Sequence, residues 1–253
     1  MSLKIYVAGH KKFCPPFDSA YVPVIGGMST RENRDEIADF IGDDTGDNIS
    51  DLNSIFCELT VQYWIWKNDH SSEFVGLNHY RRYFSKKDHG TNLYYKHVND
   101  VKVVCEGDEI AAGNDFDFSN VDMIAPIRHH GEPVLRQYAR HHVLDDMLLV
   151  SEQIRDIQPA YVNACDFYFN NCDYFHHTNM IIARKEIFDA YSEWLFSILM
   201  PLADKKFFSN YDNYQKRVMG FLSERLLSVW ILKNRRDFAI EERGFVQVRE
   251  LSA

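Results

Sequence analysis

Two guanidinium groups and an imidazole crowd into the run His79-Tyr80-Arg81-Arg82-Tyr83. Arginine forks match phosphate or carboxylate oxygens bidentately, so the run can hold an anion; alternatively, one Arg pairs with a structural carboxylate and the other is solvated. The acidic run Asp43-Asp44-Thr45-Gly46-Asp47-Asn48 places three carboxylates and an amide within six positions, a density that invites calcium or magnesium ligation. Its spacing does not match a calcium loop, which needs oxygen ligands at alternate positions, a central Gly and a distal bidentate Glu. Asp47 and Asn48 lead into a helix, where they could cap it or meet a phosphate at its backbone N–H groups. In Gly220-Phe221-Leu222-Ser223-Glu224-Arg225-Leu226-Leu227 a carboxylate and a guanidinium stand in apolar surroundings. Glu224 there is either a general base against an apolar wall or the anchor of Arg225 or another cation. His176-His177-Thr178-Asn179 precedes an apolar run, and His129-His130 and His141-His142 repeat the pairing. Adjacent side chains diverge, so paired His are poor bidentate metal ligands and better read as the polar lining of a sugar or nucleotide pocket. No nucleophile elbow, Walker A loop, dinucleotide fingerprint or kinase signature is present, which counts against hydrolases, NTPases and dehydrogenases.

The elements that would position these groups alternate between strand and helix. Residues 4–8 form an apolar run that ends at His10-Lys11-Lys12, which is either the strand end where α/β sheets collect ligands or a surface turn. Residues 13–53 carry the turn chemistry of Pro15-Pro16, Gly26-Gly27 and the acidic run, and read as a long loop. A helix follows, capped by Asp51 or Asn53, with Ile55, Phe56, Leu59, Tyr63 and Trp66 on one face. Further strands are predicted at 74–78, 121–125 and 179–183, helices at 134–150, 151–163, 185–199 and 215–233, and an edge strand within 238–248. The pattern predicts an α/β fold in which one mixed sheet is flanked by helices, as a single domain over residues 1–253.

The bulk properties exclude whole classes. With 28 Lys+Arg against 37 Asp+Glu the net charge is -9, while 45% hydrophobic and 14% aromatic residues describe a well-cored chain, not a disordered or fibrous one. The acidic balance argues against nucleic acid as a partner, because backbone phosphates need a basic face. Five cysteines without Cys-x-x-Cys spacing disfavour a disulfide framework or structural zinc and fit a reducing cytoplasm. No apolar run approaches membrane-spanning length, so membrane association is at most peripheral.

Several stretches together resemble one bacterial family of uncharacterised domains associated with capsular, exopolysaccharide and lipopolysaccharide glycosyltransferases. They are residues 4–12, the acidic run leading to Cys57-Glu58-Leu59-Thr60 and Tyr63-Trp64-Ile65-Trp66-Lys67-Asn68, then residues 76–84, His176 with Thr178-Asn179-Met180, and residues 220–227. The resemblance implies a GT-A-like, Rossmann-like fold that passes a hexosyl group from a nucleotide sugar to a hydroxyl of a growing glycan or lipid-linked oligosaccharide. The family's setting makes a UDP-hexose, including a galactofuranose form, the first donor to consider, at the cytoplasmic face of the membrane. Such enzymes usually hold a divalent metal with an Asp-x-Asp pair after a central strand, and here that strand runs into His79-Tyr80-Arg81-Arg82 instead. Two expectations follow: Arg81 and Arg82 replace the metal as countercharge to the diphosphate, or Asp43, Asp44 and Asp47 bind Mg²⁺ or Mn²⁺ with the arginines assisting. His10, Lys11, Lys12, His79, Asp47 and Asn48 complete the expected donor site. Glu224 is the first expected base and His176 the second, with Thr178, Asn179 and Arg225 on the sugar or acceptor.

Overall fold

The computed structural model describes residues 2–32, 34–86, 91–98, 101–104 and 109–250. Cys105, one of the five cysteines, lies outside the described residues; Cys14, Cys57, Cys165 and Cys172 are free thiols. In chain order the strands are β1 (Leu3–Gly9), β2 (Tyr21–Ile25), β3 (Ile41–Gly42), β4 (Phe74–His79), β5 (Arg82–Phe84), β6 (Thr91–Val98), β7 (Val101–Val104), β8 (Met123–Pro126), β9 (Arg128–His130), β10 (Tyr174–His176), β11 (Ile181–Arg184), β12 (Ile240–Arg243) and β13 (Phe245–Glu250). The helices are α1 (Asn53–Phe56), α2 (Leu59–Asn68), α3 (Val134–His141), α4 (Asp145–Ile157), α5 (Val162–Asn171), α6 (Lys185–Asp204) and α7 (Val218–Asn234).

All strands but β9 and β10 join one mixed sheet, and those two pair as a separate antiparallel ladder. From the edge strand β3 inward, β3, β2, β1 and β4 run parallel, and β11 follows antiparallel between β4 and β8. Side chains alternate between two buried faces. Tyr6 and Ala8 of β1 and Val75 and Leu77 of β4 enter the larger core with the helices, whereas Ile5, Val7 and Phe74 enter the smaller one opposite. Burial on both faces explains why these strands read as continuous apolar runs rather than as alternating ones.

The sequence expectations and the structure part company in four places. β2 and β3 fall inside the stretch read as a loop, because Pro23 and the flanking glycines mask a five-residue strand that pairs with β1. The helix expected from residue 53 is interrupted at Cys57, whose φ of 53° breaks α1 from α2. The two helices expected over 134–163 are three elements, α3, α4 and a short 3-10 turn leading into α5. The edge strand is two strands, β12 beside β8 and β13 beside β5.

The acidic run is a structural turn. Asp43 is fully buried, and its carboxylate accepts the N–H groups of Gly27 and Met28 at 3.0 and 3.1 Å and the hydroxyl of Ser50 at 2.5 Å. Asp44 pairs with Arg34 at 2.7 Å, and Asp47 accepts from Tyr63 at 3.2 Å. Asn68 of α2 clamps Asp47 by two hydrogen bonds to its main chain. Gly46 turns beneath that clamp at φ 58°, where a side chain would strike the Asn68 amide.

Candidate active site

The parallel strands β1, β2 and β4 end together, and their carboxyl ends form the head of a cleft. Ala8 is in register with His79 and Gly9 with Ile25, so Gly9, Gly26 and His79 meet at one edge of the sheet. A cavity of about 460 Å³ opens between these ends, helices α1 and α2, and the 3-10 turn Gln215–Arg217. Arg81, Lys216 and Arg217 bring cationic side chains to its lining, against the single carboxylate of Glu58. His10 lines it too, and burial together with Arg81 and Lys11 lowers its pKa. His79 is held more firmly neutral: burial first, then Arg82 and Arg81, push its pKa down to about 3. Its Nδ1 is buried and has no hydrogen-bond partner among the described residues.

A second cavity, about 330 Å³, continues from the first and shares Cys57, Glu58, His79, Arg81 and Arg217 with it. Arg82, Thr178, Glu224 and Arg225 are added there. The β10–β11 turn organises its acidic side. Thr178 and Asn179 both adopt left-handed backbone, φ 80° and 52°, a strained pair for residues other than glycine. In that conformation the Thr178 N–H donates to Glu224 Oε1 at 2.9 Å and Asn179 Nδ2 donates to Glu58 Oε1 at 2.9 Å. Ser223 donates to Asn179 Oδ1 at 2.8 Å, and Asn179 Nδ2 also reaches the Gly220 carbonyl at 3.2 Å, so α7 locks the amide. One turn therefore sets two carboxylates that are far apart in sequence.

The two glutamates differ in environment. Glu224 Oε1 takes the Thr178 N–H and Oε2 takes Arg225 Nη1 at 2.9 Å. Arg225, 2% exposed, is fixed further by the Phe221 carbonyl and by Gln137 Oε1 at 2.6 Å, and lies over the Phe175 ring at 4.4 Å. Glu58 faces both cavities at the start of α2. Burial raises its pKa, the Asn179 hydrogen bond working in the opposite direction and the neighbouring Glu224 charge adding to the rise. Arg82 lies within electrostatic reach of both carboxylates.

Of the residues singled out from sequence, the structure gathers His10, His79, Arg81, Arg82, Thr178, Glu224 and Arg225 around the two cavities. It does not bring Lys11 or Lys12 there; both are exposed and absent from the lining. Asp47 and Asn48 serve the acidic turn beside α2 and line neither cavity. His176 is 1% exposed, donates its N–H to Ser228 Oγ at 3.0 Å and holds the same hydroxyl with Nδ1 at 2.8 Å, behind the cleft wall. Asn179, 3% exposed, lies behind the Glu58 carboxylate that it bonds.

The sequence alone assigns no role to Cys57, Glu58, Lys216 or Arg217. In sequence Cys57-Glu58 stands in a helical pattern and in a stretch that resembles the family, and what singles it out in the structure is the strained φ of Cys57, which turns Glu58 into the cleft. That turn is braced by Asn53, whose Nδ2 donates to the Cys57 carbonyl at 2.8 Å, and by Arg217, whose Nε reaches Cys57 Sγ at 3.2 Å. Gly26 leaves room for Asn53, since a Cβ there would stand 2.9 Å from its amide nitrogen.

The expected metal ligands do not fit a cation in this cleft. Asp43, Asp44 and Asp47 point to separate partners and line neither cavity, and no group of three or more His, Cys, Asp or Glu among the described residues could hold a metal ion. No helix among the described residues is long and apolar enough to cross a membrane.

Comparison with known proteins bears on the family and the fold. The model of the family described as a domain of unknown function, DUF4422, matches residues 4–235, and the chain belongs to that family. The solved apo structure of WbbM, a bifunctional glycosyltransferase, superposes with a TM-score of 0.83 at 30% identity, covering 98% of this chain and 45% of that one. The chain thus spans less than half the length of WbbM. Among curated proteins nothing matches. The mixed sheet with its flanking helices is a GT-A-like glycosyltransferase fold.

Proposed function

We propose that this member of the DUF4422 family is a glycosyltransferase that moves a hexosyl group from a nucleotide sugar, UDP-linked, to a hydroxyl of a growing surface polysaccharide or lipid-linked oligosaccharide. The observation that carries this reading is the continuous cleft whose first cavity is cationic and whose junction with the second is lined by Glu58 and faces Arg82 and Glu224. The nucleotide sits at the strand ends with its diphosphate against Arg81 and Arg217, where helix and strand termini of an α/β sheet collect such ligands. The hexosyl group then lies at the junction, and the acceptor hydroxyl enters from the second cavity.

In a single displacement Glu58 takes the proton of the acceptor hydroxyl while that oxygen bonds to the anomeric carbon. The bond from that carbon to the phosphate oxygen breaks, and its electron pair leaves on the diphosphate. Glu58 suits the base role because burial raises its pKa toward the working range. Glu224, expected from sequence to be the base, has both oxygens committed to Thr178 and Arg225 and acts in this reading by fixing Arg225 and countering Arg82. Arg81, Arg82 and Arg217 supply fixed positive charge where negative charge develops on the leaving group. No step is routed through a metal, because the acidic run is consumed by the fold.

The test is a panel of nucleotide sugars, galactofuranose and galactopyranose forms of UDP-galactose first, read by thermal shift and by release of UDP with and without glycan acceptors. A donor-specific rise in melting temperature with acceptor-dependent UDP release is expected. Stabilisation by a donor with no transfer to any acceptor would replace the enzyme by a nucleotide-sugar binding module.

A further inference from the structure

A third cavity, about 350 Å³, opens from the far side of the second, and the two share Gln137, His141, Phe175 and His177. One wall is α3, which presents Gln137, Arg140 and His141. The other is the β9–β10 ladder and the residue after it. His129 and Phe175 are opposed in the antiparallel register, so their side chains lie on one face. The His177 ring closes the set, 4.0 Å from the Phe175 centroid and 4.8 Å from that of His129. The three rings form one cluster, standing at 49° to 82° to one another, and burial together with His129 and Arg225 lowers the His177 pKa to about 4, so that ring is uncharged at neutral pH.

The charge of this cavity differs from that of the first. Arg140 is paired with Glu132, and the lining adds a second carboxylate, Asp173, whose Oδ1 lies 3.1 Å from His130 Nδ1, so the one guanidinium here is matched by carboxylate. At the opposite end of the groove three cationic side chains face one glutamate. An anion is therefore drawn to the strand-end cavity, and an uncharged polar molecule fits the ring-lined one. The exposed His129 ring can take the C–H face of a sugar ring, while the Gln137 amide, the Arg140 fork and imidazole nitrogens around it can bond hydroxyls.

We propose that the third cavity binds the sugar that precedes the acceptor residue, so that the enzyme prefers a glycan chain of two or more uncharged sugars to a single one. The proposal rests on the transferase reading above and extends it to the acceptor. His129 and Arg140 line the third cavity and not the second, and serve as its probes.

The experiment compares methyl glycosides of galactose, glucose and rhamnose as matched mono- and disaccharides, with UDP release as readout. For the wild-type protein kcat/KM is expected to rise at least tenfold from one sugar to two, the scale of a small set of new contacts. In His129→Ala and in Arg140→Ala the ratio of disaccharide to monosaccharide kcat/KM falls toward one. Saturation-transfer NMR with the disaccharide and UDP should show both sugars in contact with the protein, and the contact to the second sugar should weaken in the variants. Should His129→Ala unfold, as judged by near-UV circular dichroism, Arg140→Ala alone decides. Equal kcat/KM for mono- and disaccharide, with transfer intact, overturns the proposal and leaves the transferase reading standing. Failure of every nucleotide sugar to turn over removes the transferase reading, and the acceptor proposal falls with it.

Discussion

Replacing Glu58 by Gln removes one proton-accepting group and little else. The Gln Oε1 can still accept the Asn179 amide bond that Glu58 Oε1 accepts at 2.9 Å, so the turn at Thr178–Asn179 keeps its partner. A positioned general base contributes roughly 10²- to 10⁴-fold to rate, which at 1.36 kcal/mol per tenfold is about 3–5 kcal/mol of barrier. The fall should appear in kcat, with donor affinity by calorimetry little changed, because the cations on the diphosphate remain. The pH dependence sharpens the case. Burial raises the Glu58 pKa, so wild-type kcat/KM should lose activity on acidification through a value above the ordinary carboxylate range, and that limb should vanish in Glu58→Gln. Stability moves the other way. A carboxyl whose pKa is higher in the folded than in the unfolded chain binds its proton more tightly when folded, so its contribution declines as pH rises through the folded value. The neutral amide escapes that cost, and Glu58→Gln should melt no lower than wild type at neutral pH. Turnover within tenfold of wild type with the acidic limb intact would refute Glu58 as the base and return the role to Glu224 or another group.

The other outcomes test the surrounding shell. Arg81→Ala and Arg217→Ala should each weaken nucleotide-sugar binding by roughly tenfold or more, since a hydrogen bond to a charged group is worth about 1.5–3 kcal/mol, whereas Lys11→Ala, exposed and outside the lining, should leave the calorimetric dissociation constant unchanged. Asn179→Ala should lower kcat and move the acidic limb of the pH profile upward, because the Asn179 bond holds the Glu58 pKa down; a purely structural role would leave the limb in place. Activity should persist in EDTA, and Asp43→Ala should lower the melting temperature by stranding the Gly27 and Met28 N–H groups and the Ser50 hydroxyl, a cost of about 1–3 kcal/mol for a buried group left unsatisfied.

Much of the scaffold is legible in sequence because it is written in runs. The strands at residues 4–8, 74–78 and 121–125 are apolar without alternation, as strands buried on both faces must be, and β1, β4 and β8 coincide with them within a residue or two. β2 escapes for a physical reason: its five residues contain Pro23, and it forms because β1 offers a parallel edge, a partner sixteen residues away that no local pattern encodes. The acidic run misleads in a related way. Composition makes it look like a metal loop, yet Asp43 is drawn inward by two backbone donors and a hydroxyl whose positions depend on how residues 27–50 fold back.

The site divides along the same line. Arg81, Arg82 and Glu224 are visible because each stands in a short segment whose chemistry is unusual on its own. Glu58 and Arg217 are not, since neither is unusual locally; they gain meaning from the kink at Cys57, which Arg217 contacts across 160 positions of sequence at 3.2 Å. The strained pair Thr178–Asn179 is the clearest case. A left-handed Thr beside a left-handed Asn is unfavourable in isolation, and the cost is sustained because Glu58, Glu224, Gly220 and Ser223 all bond to the turn. Strain held by hydrogen bonds to two cleft carboxylates belongs to the placement of those carboxylates rather than to the sheet, because α7 and the turn could pack as apolar surfaces without it.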